Sequence, residues 1–175
     1  NRYLFTVNFR SDGSSKYSEG NKWGFFPSGA FAWKINQEEF MQDIKEISDL
    51  KFRASYGVTG SQAIGAYATL NNLSSGKTVF GDALFTTFAP GTRLPGDLKW
   101  ETTSQFDIGF DLGIQNNRYT FSADFYSKET KDLLNTVQLP SSSGFTTTIQ
   151  NVGRIQNKGI ELSLNARVFE GDFSW

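Results

Sequence analysis

Neither cysteine nor histidine occurs among the 175 residues. Without cysteine there can be no disulfide and no thiolate metal site. With histidine missing as well, no Ser–His or Cys–His nucleophile pair can be assembled within this chain. A charge excess is missing too: 17 Lys and Arg against 18 Asp and Glu leave a net charge of −1. No global field therefore recruits nucleic acid or anionic lipid. No apolar run approaches the roughly 18 residues of a membrane-spanning helix, so any crossing of a bilayer must be made by strands closed into a barrel. No charged-plus-apolar leader opens the chain, and Phe173-Ser174-Trp175 closes it within an apparent strand. The residues read as a piece of a longer protein.

What is abundant is aromatic: 17 Phe, 6 Tyr and 4 Trp. Their placement is most regular between Glu101 and Lys128. Phe106, Ile108, Phe110, Leu112 and Ile114 alternate with Gln105, Asp107, Gly109, Asp111 and Gly113. After Gln115-Asn116-Asn117-Arg118 the alternation resumes, with Tyr119, Phe121, Ala123 and Phe125 against Thr120, Ser122, Asp124 and Tyr126. Successive strand side chains point to opposite faces, so each segment has one apolar and one polar face. Asn tolerates the left-handed backbone of a two-residue type I′ turn, which makes Asn116-Asn117 the expected hairpin tip. That closure pairs Ile114 with Tyr119, Leu112 with Phe121 and Ile108 with Phe125. Alternation alone suits a soluble sandwich equally well. Both arms, however, reach the roughly 9–11 residues of a barrel strand, and Trp100 and Tyr119 at their ends suit interfacial girdles.

The remaining chain is read in order. Tyr3, Phe5, Val7 and Phe9 mark a first strand, Ser11 to Lys22 a polar loop, and Phe31, Trp33 and Ile35 a second strand. Asn36, with Glu39 three residues on, has the spacing of a capping box for a short helical connector, with Phe40, Ile44 and Ile47 along one side. A third strand runs from Leu50 to Thr59. A long Gly-, Ser-, Thr- and Asn-rich stretch occupies 60–100, and a second long connection runs from Glu129 to about Asn157. Ile160, Leu162, Leu164, Ala166 and Val168 mark a sixth strand, and Glu170-Gly171-Asp172 turns into a seventh. Long loops and tight connectors thus alternate strictly. Outer-membrane barrels sort their connections in this way, with short periplasmic turns and long extracellular loops, whereas a sandwich has no reason to.

Four blocks carry a family resemblance: Trp23-Gly-Phe-Phe-Pro-Ser, Leu50-Lys-Phe-Arg-Ala-Ser-Tyr-Gly-Val-Thr-Gly, Leu98-Lys-Trp-Glu-Thr-Thr and Asn151-Val-Gly-Arg-Ile-Gln-Asn-Lys-Gly-Ile-Glu-Leu. In this order, and over nearly the whole chain, they resemble the SusC/RagA family of TonB-dependent outer-membrane receptors. The family pattern often has Gly-Asn-Gln where Gly60-Ser61-Gln62 stands here. The resemblance implies an all-β fold: an antiparallel transmembrane β-barrel segment, six to seven strands from the later part of a barrel of about 22 strands. Residues 1–175 are then one partial barrel domain, without plug, N-terminal region, early strands or closing strand. It also implies localisation in the outer membrane, import of a glycan or peptide beneath a SusD-like lipoprotein lid, and energy delivered by TonB through regions outside this chain. No cofactor is expected. A passive porin or structural barrel and, more remotely, a soluble sugar-binding sandwich are the alternatives.

Residue roles follow from these readings. Phe106, Ile108, Phe110, Leu112, Ile114, Phe121, Ala123, Phe125, Ile160, Leu162, Leu164 and Val168 are expected to face lipid. Lys51, Arg53, Asp107, Asp111, Asp124, Glu161 and Arg167 are expected to face the lumen. Leu112→Arg should then be costly and Asp111→Arg nearly neutral. Trp23, Tyr67, Phe80, Phe85, Phe88 and Trp100 are the loop aromatics expected to contact ligand or lid, since aromatic faces stack on sugar rings and loops on a rigid scaffold carry recognition. No catalytic residue is expected. Asp107 and Asp111 lie on one face but roughly 13 Å apart along the strand, outside the spacing of glycosidase carboxylates. Gly60 to Gly65 lacks the Lys-Ser/Thr of a phosphate loop. Asp12-Gly13-Ser14-Ser15 lacks the further carboxylates of a calcium loop.

Overall fold

The computed structural model describes residues 1–70 and 72–168. Six long strands form one antiparallel sheet: β1 (Tyr3–Gly13), β2 (Trp23–Lys34), β3 (Ile47–Ser61), β7 (Glu101–Ile114), β8 (Tyr119–Lys131) and β11 (Arg154–Ala166), adjacent in that order. Two smaller sheets occupy the long connections. A hairpin of β4 (Leu73–Phe80) and β5 (Ala83–Pro90) stands within 62–100, and β6 (Arg93–Leu94) joins β10 (Thr147–Asn151) and β9 (Leu134–Gln138). The expected seventh strand, after Glu170-Gly171-Asp172, lies outside the described residues.

The central hairpin closes in the expected register, with Ile114 opposite Tyr119, Leu112 opposite Phe121 and Ile108 opposite Phe125. Asn116 and Asn117 have φ of 55° and 60°, and the Arg118 N–H donates to the Gln115 carbonyl at 3.1 Å. Gln115 is left-handed as well, at φ 52°, which turns its N–H toward the Glu46 carbonyl (2.9 Å) and ties this turn to the neighbouring connector. That connector differs from expectation. Two short 3₁₀ turns, Ile35–Gln37 and Glu39–Met41, replace a capped helix, with no side-chain cap at either start. The Asn36 amide is drawn instead to the Ser48 carbonyl at 3.2 Å. Glu38 fixes the connector: its carboxylate accepts from Tyr3 Oη (2.7 Å), Trp33 Nε1 (3.0 Å) and Arg2 (3.2 Å). Two aromatic rings on β1 and β2 are thereby held by their polar tips at the tight-turn end, as girdle residues require.

Register carries one apolar surface across the whole sheet. Tyr3 lies opposite Trp33, Trp33 opposite Phe52, Phe52 opposite Phe110, Phe110 opposite Ala123, and Ala123 opposite Leu162. Ile108, Leu112, Ile114, Phe121, Phe125, Ile160 and Leu164 share that face by the same ladders. Val7 is 85% exposed and Leu164 72%. A soluble monomer rarely exposes a contiguous apolar face beyond a few hundred Å², and a lone sheet offers no second layer to cover one.

The apolar band runs obliquely. One row of paired residues reads Val7, Gly29, Tyr56, Phe106, then Ser127 and Lys158. It is apolar toward β1 and polar toward β11. A row nearer the tight turns reads Leu50, Leu112, Phe121 and Leu164, but has no position on β2, whose pairing with β3 ends at Lys34 and Lys51. The band therefore steps along the strands from one edge to the other. Barrel strands tilted at roughly 35–45° require this displacement if a level slab of hydrocarbon is to be met everywhere.

On β7 the band spans Phe106 to Ile114, so Phe110 lies at its centre and Ile114 at its rim. In a folding titration of the full-length barrel in lipid vesicles, Phe110→Arg should cost about 2–4 kcal/mol and Ile114→Arg about 0–1 kcal/mol, with Leu112→Arg between. Equal costs at the three positions would sink the depth assignment. The Glu38 contacts predict a pH effect. Hydrogen bonds from Tyr3, then Trp33, hold the Glu38 carboxyl below its ordinary value of 4.5. A depressed folded value means the carboxylate's contribution is complete above that ordinary value and is lost as pH falls through the folded one. Wild type should thus outlast Glu38→Gln near neutrality, and the gap should close on acidification.

Candidate functional site

Opposite the tight turns, the connections 14–22, 62–100 and 132–153 converge. Ser14 Oγ meets Gln62 Oε1 at 2.7 Å, and Asp97 accepts from Ser18 Oγ (2.6 Å) and Asn21 Nδ2 (2.9 Å). The Asn151 side chain accepts from Lys99 N (2.9 Å) and donates to the Lys99 carbonyl (2.8 Å), while Lys99 Nζ pairs with Asp132 at 3.0 Å. Beneath these ties lies the chain's buried apolar cluster: Tyr17, Phe26, Ile64, Ala68, Leu98 and Trp100. Tyr17 and Phe26 flank Trp100 at ring-centroid distances of 5.2 and 5.6 Å. Burial, and then the nearby Glu101, push the Tyr17 phenol above its ordinary value.

The six loop aromatics separate into four situations. Trp100 is 8% exposed and belongs to the cluster, so it cannot offer a face to a ligand. Sequence could not reveal this, because its partners come from two distant segments. Trp23 is the first residue of β2, paired with Gly13 on the side of Phe25, and its ring lies against that glycine; a Cβ there would sit 3.0 Å from it. It is a strand residue at the upper margin of the apolar face. Phe80 and Phe85 share one face of the β4–β5 hairpin, with Phe88 on the other. All three are exposed. Tyr67 borders a cavity of about 480 Å³, together with Lys16, Glu19 and Lys22. Those three charges lie in the loop read only as polar.

The other face of the sheet is built around Arg53. Its guanidinium donates to both Asp111 oxygens (2.8 and 2.9 Å) and to Asp124 Oδ1 (2.9 Å). Gly109 stands between Arg53 and Asp124 in register, and a Cβ there would lie 2.7 Å from the guanidinium carbon. The missing side chain is what lets the ions close across β7. Asp111 is therefore not an idle charge, and Asp111→Arg would set a cation against Arg53. Asp107 accepts from Gln105 (2.9 Å) and Ser55 (3.2 Å). Lys51 lies opposite Asp111, and Glu161 opposite Asp124. Arg167 follows β11, where its carbonyl and that of Val168 accept from Arg118 (2.9 and 2.8 Å). Among the described residues no group of acidic side chains could hold a metal ion.

An antiparallel wall with an apolar face that runs obliquely across its strands, and with long loops gathered at one end, has the construction of an outer-membrane-type barrel. Residues 1–175 match the family model for the TonB-dependent receptor-like β-barrel. The chain belongs to that family, and within it to the SusC/RagA receptors. It is 44% identical to TonB-dependent receptor P3 of Formosa agariphila and 43% identical to TonB-dependent receptor SusC of Bacteroides thetaiotaomicron, over 99% and 100% of its own length. It spans only 18% of each of these relatives. Over 97% of the chain it superposes on the RagAB peptide importer, with TM-scores of 0.84 for the closed-closed state and 0.86 for the open-open state, at 33% and 32% identity and 18% of that chain.

Burial separates two neighbouring aromatics experimentally. Trp100→Ala should open the loop cluster and quicken limited proteolysis within 62–100, at about 3–5 kcal/mol of local packing. Tyr67→Ala should leave the cleavage pattern unchanged. The reverse order would contradict the packing described.

Proposed function

We propose that this chain is part of the wall of an outer-membrane importer that takes up nutrients at the expense of energy relayed by TonB. The supporting observation is the oblique apolar band on a sheet that belongs to the TonB-dependent receptor family. On this reading that band meets lipid, and the Arg53–Asp111–Asp124 face lines the lumen. The 62–100 and 132–153 connections stand outside the cell. The remaining strands, and the plug that must be moved for passage, belong to the rest of the protein, since the chain spans under a fifth of its relatives.

The cargo on this reading is a glycan or a peptide, captured beneath a SusD-like lipoprotein. The importer in the matched structures is a peptide importer, while one of the relatives matched by sequence is named SusC. The exposed Phe80, Phe85 and Phe88 on β4–β5 are the proposed contacts for cargo or lid: every residue of the two strands of their hairpin is exposed. A receptor of this kind makes no or breaks no covalent bond in its cargo, so no catalytic group is assigned.

The test is uptake by the full-length protein in cells with and without TonB. Uptake should fall to background when TonB is removed, while surface binding persists. Undiminished uptake would favour a passive porin and defeat the proposal. Replacing Phe80, Phe85 and Phe88 together by Ser should weaken capture without lowering the amount of folded barrel, because no residue of the apolar band changes.

A further inference from the structure

The cavity between loop 14–22 and the turn around Tyr67 has features that neither the barrel wall nor the loop core explains. Tyr67 has a φ of 61°. A bulky residue in the left-handed region is strained, and such strain persists only where the surroundings impose it. Here Ile64 and Ala68 are buried on either side of it in sequence, the Leu70 N–H donates to the Tyr67 carbonyl (3.1 Å), and Thr69 Oγ1 donates to the Lys16 carbonyl (3.1 Å). The consequence is a ring turned out of the core, 70% exposed, beside the cavity. Two cations and one anion complete the border: Lys16, Lys22 and Glu19. None has an ion-pair partner among the described residues, although Lys99 in the same loop cluster is paired with Asp132. At the border itself two ammonium groups thus stand against one carboxylate, with Asp97 held behind it by Ser18 and Asn21.

We infer that this cavity binds an acidic sugar residue, an inference that rests on the importer reading and narrows its cargo to anionic glycans. The Tyr67 ring supplies a face for the apolar side of a pyranose. Lys16 and Lys22 supply ammonium donors for a carboxylate or sulfate, and Glu19 accepts from a ring hydroxyl. A peptide fits less well. Peptide side chains seek deep apolar pockets and extended backbones seek a free strand edge. This border is a loop and a turn, with no strand edge in it, and its apolar lining is Tyr17, Ala66, Tyr67 and Leu70 among charged and hydroxyl side chains.

Calorimetry on the purified full-length receptor in detergent tests this with six ligands: oligogalacturonate, oligomannuronate, a sulfated galactan fragment, neutral maltohexaose, a neutral hexapeptide and a Glu-rich hexapeptide. At least one acidic glycan should bind more tightly than maltohexaose and both peptides, and added salt should weaken it. Lys16→Gln with Lys22→Gln should reduce that affinity by about tenfold or more, the loss expected for charged hydrogen bonds. Tyr67→Ala should reduce it as well, whereas Tyr67→Phe should retain it. Failure of all three acidic probes to bind, binding untouched by the double lysine substitution, or preference for a peptide would each overturn the inference. Salt dependence of the unaltered receptor decides the matter if the variants do not fold. TonB dependence of uptake, measured in parallel, stays informative either way: TonB-dependent uptake without acidic-glycan binding would sink only the cargo assignment.

Discussion

Backbone groups that enter hydrocarbon must find partners inside the protein, because no water is there to receive them and each orphan costs several kcal/mol. The long ladders here meet that demand from β1 through to β11. Among the described residues their register shifts only between Ile47 and Asp49, opposite Ile114 and Gly113 at the tight-turn end. The strands cannot shorten to fit the loops, since 11 to 15 residues are needed to cross and to carry the connections clear of the bilayer. Nor can the apolar surface follow a row of paired residues. Tilt obliges it to slip along the strands from edge to edge, and the outward positions change from Val7 and Tyr56 to Ser127 and Lys158 along a single row. Ladder, tilt and oblique band are three expressions of one requirement.

With hydrocarbon proposed to solvate the apolar face, burial of apolar side chains between layers cannot be what holds this sheet together. Other attractions carry more of the weight. On the polar face Arg53 spans β3, β7 and β8 through two carboxylates, in a geometry that only a glycine at position 109 permits. Such a partly exposed ion triad contributes modestly to stability in water. Its greater effect is on register: a one-residue slip of β7 would put a side chain where Gly109 now stands and carry Asp111 to the opposite face. At the tight-turn end Glu38 plays a similar part for β1 and β2, gathering three donors from Arg2, Tyr3 and Trp33.

Legibility in the sequence followed the range of the interactions concerned. The 105–126 hairpin was readable to the residue because alternation and the Asn116-Asn117 turn are local and agree. The sorting of long and short connections was readable for the same reason. The β4–β5 hairpin was not. Ser74, Gly76, Thr78, Thr86 and Thr87 blur its alternation, and both of its faces mix Phe with small polar residues. Asn36 and Glu39 had the spacing of a cap, but the connector is shaped by Glu38 and by Ser48, whose pull no local pattern records. Among the candidate contacts, Trp100 was misplaced because its partners, Tyr17 and Phe26, are distant in sequence. Lys16, Glu19 and Lys22 gave no signal beyond polarity, and gain meaning only when the chain folds Tyr67 over against them.

The loop end faces the opposite problem from the wall. Surrounded by water, it can bury apolar groups only against itself, and connections as long as 62–100 need some packing of their own to be ordered. Tyr17, Leu98 and Trp100 are committed to this packing, at 2%, 1% and 8% exposure. An aromatic so committed is unavailable for recognition, so abundance of aromatics in a loop says little about binding until the two uses are told apart. Backbone conformation distinguishes them here. Ala68, the next residue after Tyr67, turns into the core, and the left-handed φ at Tyr67 is what lets the chain do so while sending the preceding ring outward. The strain is thus the cost of keeping one aromatic face free at the rim of a cluster that absorbs its neighbours, and the cavity bearing Lys16, Glu19 and Lys22 lies where that face is presented.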